Sequence, residues 1–198
     1  SNHLAETQMN YRELAHAVGE AGCSFCPAVY HGKRKAENFK SQQLIGLDFD
    51  NGVPFHIIQQ KAEHYHLKIL FAYRTFSDTA EHEKFRIVFA LQHKITDSFT
   101  ARSVVNIFMK IFENCDEACK DSARLFFGGK GLLYLADEPH EISQGEIILA
   151  LAAYMADKYD NKHYTRELQK FYTVNHIRFE KNHPVTTDQG SFISESSP

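Results

Sequence analysis

Residues 44–55 read LIGLDFDNGVPF. Leu44, Ile45, Leu47 and Phe49 make a short apolar run, and Asn51-Gly52 is the turn pair that closes a strand. Pro54 then opens a helix running to about Leu67. The strand therefore reaches the surface carrying two carboxylates, Asp48 and Asp50. Residues two apart on a strand share a face, with side-chain origins about 6.5 to 7 Å apart. That spacing suits shared coordination, because acids held together need compensation and a hard cation such as Mg2+ or Mn2+ supplies it. Two such ions about 3.5 to 4 Å apart could hold the attacking and leaving oxygens of a phosphoryl transfer. The plain alternative is a solvated turn, since Asp-Asn-Gly is good turn chemistry.

Outward from this strand the order is helix, strand, helix, hairpin, helix, hairpin, helix. Residues 4–20 carry Leu4, Tyr11, Leu14, Ala15 and Val18 at helical spacing, with Gly22 as a stop. KILFAYRTF and KFRIVFAL are β-branched and aromatic runs joined by SDTAEHE, as in a hairpin. Thr96-Asp97-Ser98 caps a helix bearing Phe99, Val104, Ile107, Phe108 and Ile111. ARLFFGG and GLLYL predict a second hairpin around Gly128 to Gly131. Ser143 with Glu146 forms a capping box for EIILALAAYMADKY, apolar all round and so expected at the centre of a core. The layout is α+β with a largely antiparallel sheet. Residues 1–180 read as one catalytic domain and 181–198, ending SESSP, as a polar linker or disordered tail.

The bulk numbers bound the chemistry. At 198 residues the chain can bury one sizeable core, and 43% hydrophobic with 24% charged residues is ordinary for a soluble protein. No apolar run is long enough to span a bilayer and no leader opens the sequence, so no membrane partner and a cytoplasmic location are expected. A net charge of -3 rules out a global basic field, so binding to phosphates has to be local. Cys23, Cys26, Cys115 and Cys119 fall in two close pairs without knuckle-type flanks. Buried free thiols are the expectation, and a joint Zn2+ site on all four is the alternative. The 12 histidines are scattered, with no metal-ligand spacing.

Three further segments bear on the acids. TFSDTAEHEKFRIVF feeds a strand carrying Arg86, whose planar fork suits a pair of triphosphate oxygens. NCDEACKDSARLFFGGKG adds Asp116 and Asp121, then Arg124 and Lys130. HGKRKAENFK places Lys33, Arg34 and Lys35 ahead of the D-x-D strand, a charge run that alone reads as a solvated turn.

In this order LDFDNG, YRTFSDTAEHEKFRIVFAL and the acidic segment leading into DSARLFFGG resemble the archaeo-eukaryotic primase superfamily. The likeness is closest to primase-polymerase domains of bacterial mobile elements, phages and plasmids, and it covers roughly residues 20 to 135. It implies an RNA-recognition-motif-like catalytic sheet flanked by a smaller αβ unit. It also implies template-directed nucleotidyl transfer from NTP or dNTP on a single-stranded DNA template, with Mg2+ or Mn2+ in a two-metal site. Carried over by position, Asp48 and Asp50 are the metal pair and Asp116 the third metal carboxylate, with Asp121 the alternative. Arg86 falls where the superfamily often has a nucleotide-binding histidine. Related sequences often have histidine after TFS, where this chain has Asp78; the nearest histidine is His82. Arg86, Arg124 and Lys130, with or without His82, would hold nucleotide phosphates, and Lys33, Arg34 and Lys35 would contact nucleic acid. A helicase or further C-terminal domain often follows in related proteins.

Other classes remain in view. A haloacid-dehalogenase-type phosphatase also ends a strand in D-x-D, but Asn51 shifts the expected Thr or Val and the alternating βα rhythm is missing. A Toprim-type site wants an earlier strand-end glutamate. A non-catalytic nucleic-acid-binding replication module would use strand aromatics such as Phe85, Phe89, Phe126 and Phe127 to stack bases. Most of these are core by alternation, since FRIVF puts Phe85, Ile87 and Phe89 on one face. FFGGKG fails as a phosphate loop because Gly131, not Ser or Thr, follows Lys130.

Overall fold

Alternation decides the sheet. In the computed structural model, which describes residues 6–178, 186–187 and 190–191, Ile45, Leu47 and Phe49 on one strand and Phe85, Ile87 and Phe89 on its neighbour are fully buried. These residues point to one face of an antiparallel pair, β2 (Phe39–Phe49) and β4 (Phe85–Ile95). The other strands of this sheet are β1 (Ala28–Tyr30), β3 (Phe71–Thr75), β5 (Gly129–Leu135) and β6 (Glu141–Ile142). The order is β1-β2-β4-β3-β5, antiparallel throughout, and β6 alone pairs in parallel, against β4. The architecture is α+β with a mostly antiparallel sheet and flanking helices, as expected, and it lacks the alternating βα rhythm of the phosphatase rival.

The buried face is covered by α3 (Ser98–Ile111) and by α2 (Phe55–His64), whose Phe55 meets Phe85 edge-on, and α4 (Gln144–Lys158) packs against α3. Phe89 lies 5.0 Å from Phe108 and 5.5 Å from Phe112 between ring centroids, and Phe49 stacks on Phe85 at 5.0 Å. With these helices, β2-α2-β3-β4-α3-β5 runs in β-α-β-β-α-β order. The last strand joins the free edge of β3, and β1 takes the edge beside β2. On the opposite face α1 (Tyr11–Gly19) crosses β3 and β5. There Gly19 admits close packing, since a Cβ would stand 2.5 Å from Leu132.

Three local expectations change. The first helix starts at Tyr11 rather than residue 4, because Asn10 and Glu13 form a capping box that fixes its N-terminus. The hairpin at Gly128 to Gly131 does not form: Phe126 pairs with Phe25 and β5 pairs with β3. Its glycines serve close approach instead. A Cβ on Gly128 would lie 2.2 Å from the Gly22 backbone, and one on Gly129 would lie 2.1 Å from the Arg74 carbonyl oxygen. Helix α4 has the expected Ser143–Glu146 box, but Leu149 is 71% exposed. It therefore packs one side, Ile147, Leu151, Tyr154 and Met155, rather than sitting inside the core. Most of 181–198 lies outside the described residues. Within it, β8 (Thr186–Thr187) and β9 (Gly190–Ser191) pair in a small sheet with β7 (Ile177–Arg178), which follows α5 (Tyr164–Val174).

Candidate active site

Register places the site. Asp48 on β2 is paired with Arg86 on β4, and Arg86 with Tyr73 on β3. The three form a row on the face opposite the α2–α4 core, because alternation turns them away from Leu47, Phe49, Phe85 and Ile87. Upstream on β2, Gly46 leaves room for the Phe126 ring, whose tip would be 2.9 Å from a Cβ there. Phe126 arrives through its backbone ladder with Phe25, 2.9 Å in each direction.

Asp48 is 5% exposed. Its Oδ2 accepts from Arg124 Nη2 at 2.6 Å and from Arg86 Nη2 at 3.1 Å. Arg124 also donates through Nη1 to Asp116 Oδ2 at 2.7 Å, so one guanidinium spans two carboxylates. The acids are also tied through the main chain: the Asp116 N–H donates to the Asp48 carbonyl at 2.8 Å. Both guanidiniums stand over Phe126, at 5.4 Å for Arg124 and 5.9 Å for Arg86. Burial favours the neutral form of Asp116, but the Ala118 N–H and the Arg124 guanidinium outweigh it and lower its pKa. Burial likewise opposes the charge on Arg124, and its hydrogen bond to Asp116 with the nearby acids holds its pKa above the usual value.

The sequence-derived candidates divide accordingly. Asp48, Asp116, Arg86 and Arg124 converge. Asp50 does not join them: β2 ends at Phe49, Asp50 is exposed beyond it, and its carbonyl accepts from His82 Nε2 at 2.8 Å. The alternation expected to put the two aspartates on one face thus stops one residue short of Asp50. His82 braces that turn, its ring lying against Gly52. Asp121 is exposed and accepts from the Ala123 N–H at 2.9 Å, closing the turn before Arg124. Lys130 donates to the Asp78 carbonyl. Arg34 donates to the Ala123 carbonyl at 2.8 Å and so braces the Arg124 segment, whereas Lys33 and Lys35 are exposed. Among the described residues no group of three or more His, Cys, Asp or Glu side chains is placed to hold a metal ion. That covers the four-thiolate Zn2+ alternative as well as the three-carboxylate set.

Several participants carry no signal in the sequence. Tyr73 donates its hydroxyl to the Phe127 carbonyl at 3.1 Å, and Arg86 Nη1 donates to the same oxygen. Cys119 Sγ accepts from the Asp48 N–H at 3.3 Å. Burial pushes its thiol up to about 11 and that of Cys115 up to about 12. Asp78, the position where a histidine was expected, is a buried loop organiser: it accepts from the Lys84 N–H at 2.8 Å and from Arg74 at 3.0 Å. Only the aromatic alternation around Phe126 could have hinted at its part.

No family model matches the chain, and no curated protein sequence matches it. Among solved structures the chain is similar to the AEP domain (PP-N190) of the primase-polymerase (PrimPol) of cyanophage S-2L. The two share 14% sequence identity over 63% of this chain and 68% of that chain, with a TM-score of 0.47. No helix among the described residues is long and apolar enough to cross a membrane.

Proposed function

We propose that this chain is a replicative nucleotidyltransferase of the primase-polymerase kind, extending a strand on a single-stranded DNA template from NTP or dNTP. The observation that carries the reading is the cation seated between Asp48 and Asp116, contributed by positions 68 residues apart (116 − 48). The seat is filled by the Arg124 guanidinium at 2.6 and 2.7 Å. Aspartate oxygens are the donors that Mg2+ or Mn2+ prefers, and the guanidinium stands in for the positive charge such an ion would bring. With Arg124 displaced, Asp48 and Asp116 would offer one hard cation two carboxylates, the rest of its shell coming from substrate and water; a second ion would draw on Asp50 at the exposed strand end. When bound, such ions neutralise a triphosphate and activate a 3′-hydroxyl for in-line attack.

The chain's own contribution is alignment and charge. Arg86 and Arg124, both backed by Phe126, present planar donors for phosphate oxygens, and Lys130 stands on β5, with β3 between it and the Arg86 strand. Tyr73 and Arg86 fix the Phe127 main chain beside them. Lys33 and Lys35, exposed on the β1–β2 connection, are offered to the template backbone.

Purified protein given Mn2+, a primed single-stranded template and labelled nucleotides is expected to make product that disappears in Asp48→Ala/Asp50→Ala. Product persisting in that double variant overturns the assignment. One observation favours a second reading, a non-catalytic nucleic-acid-binding module: Asp48 is already neutralised by two arginines. Template binding with no product from the wild-type chain under the same conditions selects it.

A further inference from the structure

The acid–arginine cluster is closed in charge: Asp48 and Asp116 against Arg86 and Arg124, joined by three ion pairs. It is shielded on one side, with side-chain exposures of 8% for Asp48, 12% for Arg86 and 17% for Arg124, and open at Asp116, which is 33% exposed. A divalent cation entering alone would add charge to a neutral, half-buried group and leave two guanidiniums without acceptors. Such groups are costly to strand. An anion arriving at the same time changes the balance, because its oxygens give the arginines somewhere to go. Arg124 is built to exchange partners in this way. Its bidentate fork matches phosphate as well as it matches carboxylate, and its face rests on Phe126 rather than on further hydrogen bonds. Arg86 Nε is buried without a hydrogen-bond partner, a donor that the present arrangement leaves unsatisfied. The backbone carrying Arg124 is meanwhile held. Ala123 accepts from Arg34 at 2.8 Å and Ser122 Oγ accepts from the Tyr30 hydroxyl at 3.0 Å, so the side chain can swing while its root stays in place.

We infer that Arg124 is a latch on the carboxylates: it keeps Asp48 and Asp116 closed to a metal ion alone and releases them when a polyphosphate takes its guanidinium. Metal and polyphosphate are thereby coupled at this site, each raising the affinity for the other. The inference rests on the reading of Asp48 and Asp116 as metal carboxylates and concerns how that site is regulated.

The test uses the full chain and two probes, Mn2+ alone followed by its electron paramagnetic resonance signal, and ATP in excess EDTA followed by calorimetry. Arg124→Gln is expected to bind Mn2+ about tenfold or more tightly than wild type, and to bind metal-free ATP about tenfold more weakly. Adding Asp48→Asn to Arg124→Gln is expected to abolish the gained Mn2+ site. Arg124→Lys keeps the charge and stem but cannot span both acids; it should fall between, and it serves if circular dichroism shows Arg124→Gln misfolded. Opposite shifts for the two probes in one variant are not what a merely structural role would give. Wild type binding Mn2+ as tightly as the variants, at a site lost in Asp48→Asn, overturns the latch and leaves the metal reading standing. No Asp48-dependent Mn2+ site in any form, together with no extension product, overturns both.

Discussion

Gly128 and Gly131 differ in a way the string FFGGKG hides. A methyl group on Gly128 would lie 2.2 Å from the Gly22 carbonyl carbon, backbone that cannot give, whereas one on Gly131 meets nothing within 4 Å. Gly128→Ala is therefore expected to destabilise by about 3 kcal/mol or more. Gly131→Ala should change stability by no more than about 1 kcal/mol. Urea denaturation of the two variants checks the contrast, and equal effects would remove the close-approach argument. The cysteines separate in the same manner. Cys23 is exposed, while burial raises the Cys115 and Cys119 thiols to about 12 and about 11. At pH 8 iodoacetamide should modify Cys23 first, and the other two at least about tenfold more slowly, because only the thiolate reacts. Peptide mass spectrometry reads this directly, and rapid labelling of Cys119 in the native chain would contradict its burial against the Asp48 N–H.

Helix α4 shows what caps and exposure decide. Ser143 and Glu146 satisfy each other's backbone N–H groups, so Ser143→Ala is expected to cost about 1 kcal/mol. Burial favours the neutral form of Glu146, but hydrogen bonds from Ser143 and the nearby His140 prevail and lower its pKa below the ordinary 4.5. A lowered carboxylate contributes stability above its unfolded-state pKa and loses it as pH falls through the folded value. The stability difference between wild type and Glu146→Gln should thus be constant near neutrality and shrink below about pH 4.5; thermal melts across that range test it, and a difference growing in acid would reverse the sign. At this scale the sequence was a good guide where a signal is local. Period-two apolar runs marked β2, β3 and β4, and capping residues marked α3 and α4. It misled where a long-range partner decides. GLLYL is the strand it reads as, but β5 pairs with β3 rather than with ARLFFGG, and Phe126 leaves the expected hairpin because Phe25, 101 residues earlier (126 − 25), supplies its ladder.

Across the molecule the same division governs the site. Asp48 and Asp116 were legible as acids in an ordered pattern, but Arg86 opposing Asp48 is a matter of register, and Arg124 spanning both acids depends on where the 122–126 segment docks. Asp50 looked equivalent to Asp48 because the strand's last residue was not fixed by composition. In its backbone pairing the docked segment has one two-residue ladder, Phe25 with Phe126, its other ties being side-chain contacts from Tyr30, Arg34 and Cys26 and the Arg124 ion pairs, while β2 is paired on both edges. Amide hydrogen exchange should accordingly find Phe25 and Phe126 opening well below the global unfolding free energy, and Leu47 and Ile87 only with it. Equal protection would mean the segment is as integral as the sheet.

The contact of Gly22 with Gly128 has a temporal side. The cluster around Asp48 draws on positions 86, 116 and 124, and the backbone that seats Arg124 closes only when a chain stretch just past α1 meets one more than a hundred residues later. Such a closure has to wait for most of the polypeptide to emerge. During synthesis, then, the aspartate-bearing strand can pair with Arg86 on β4 long before Arg124 exists, and a nascent chain would show its acid held by one arginine rather than two until the ribosome has passed Gly128.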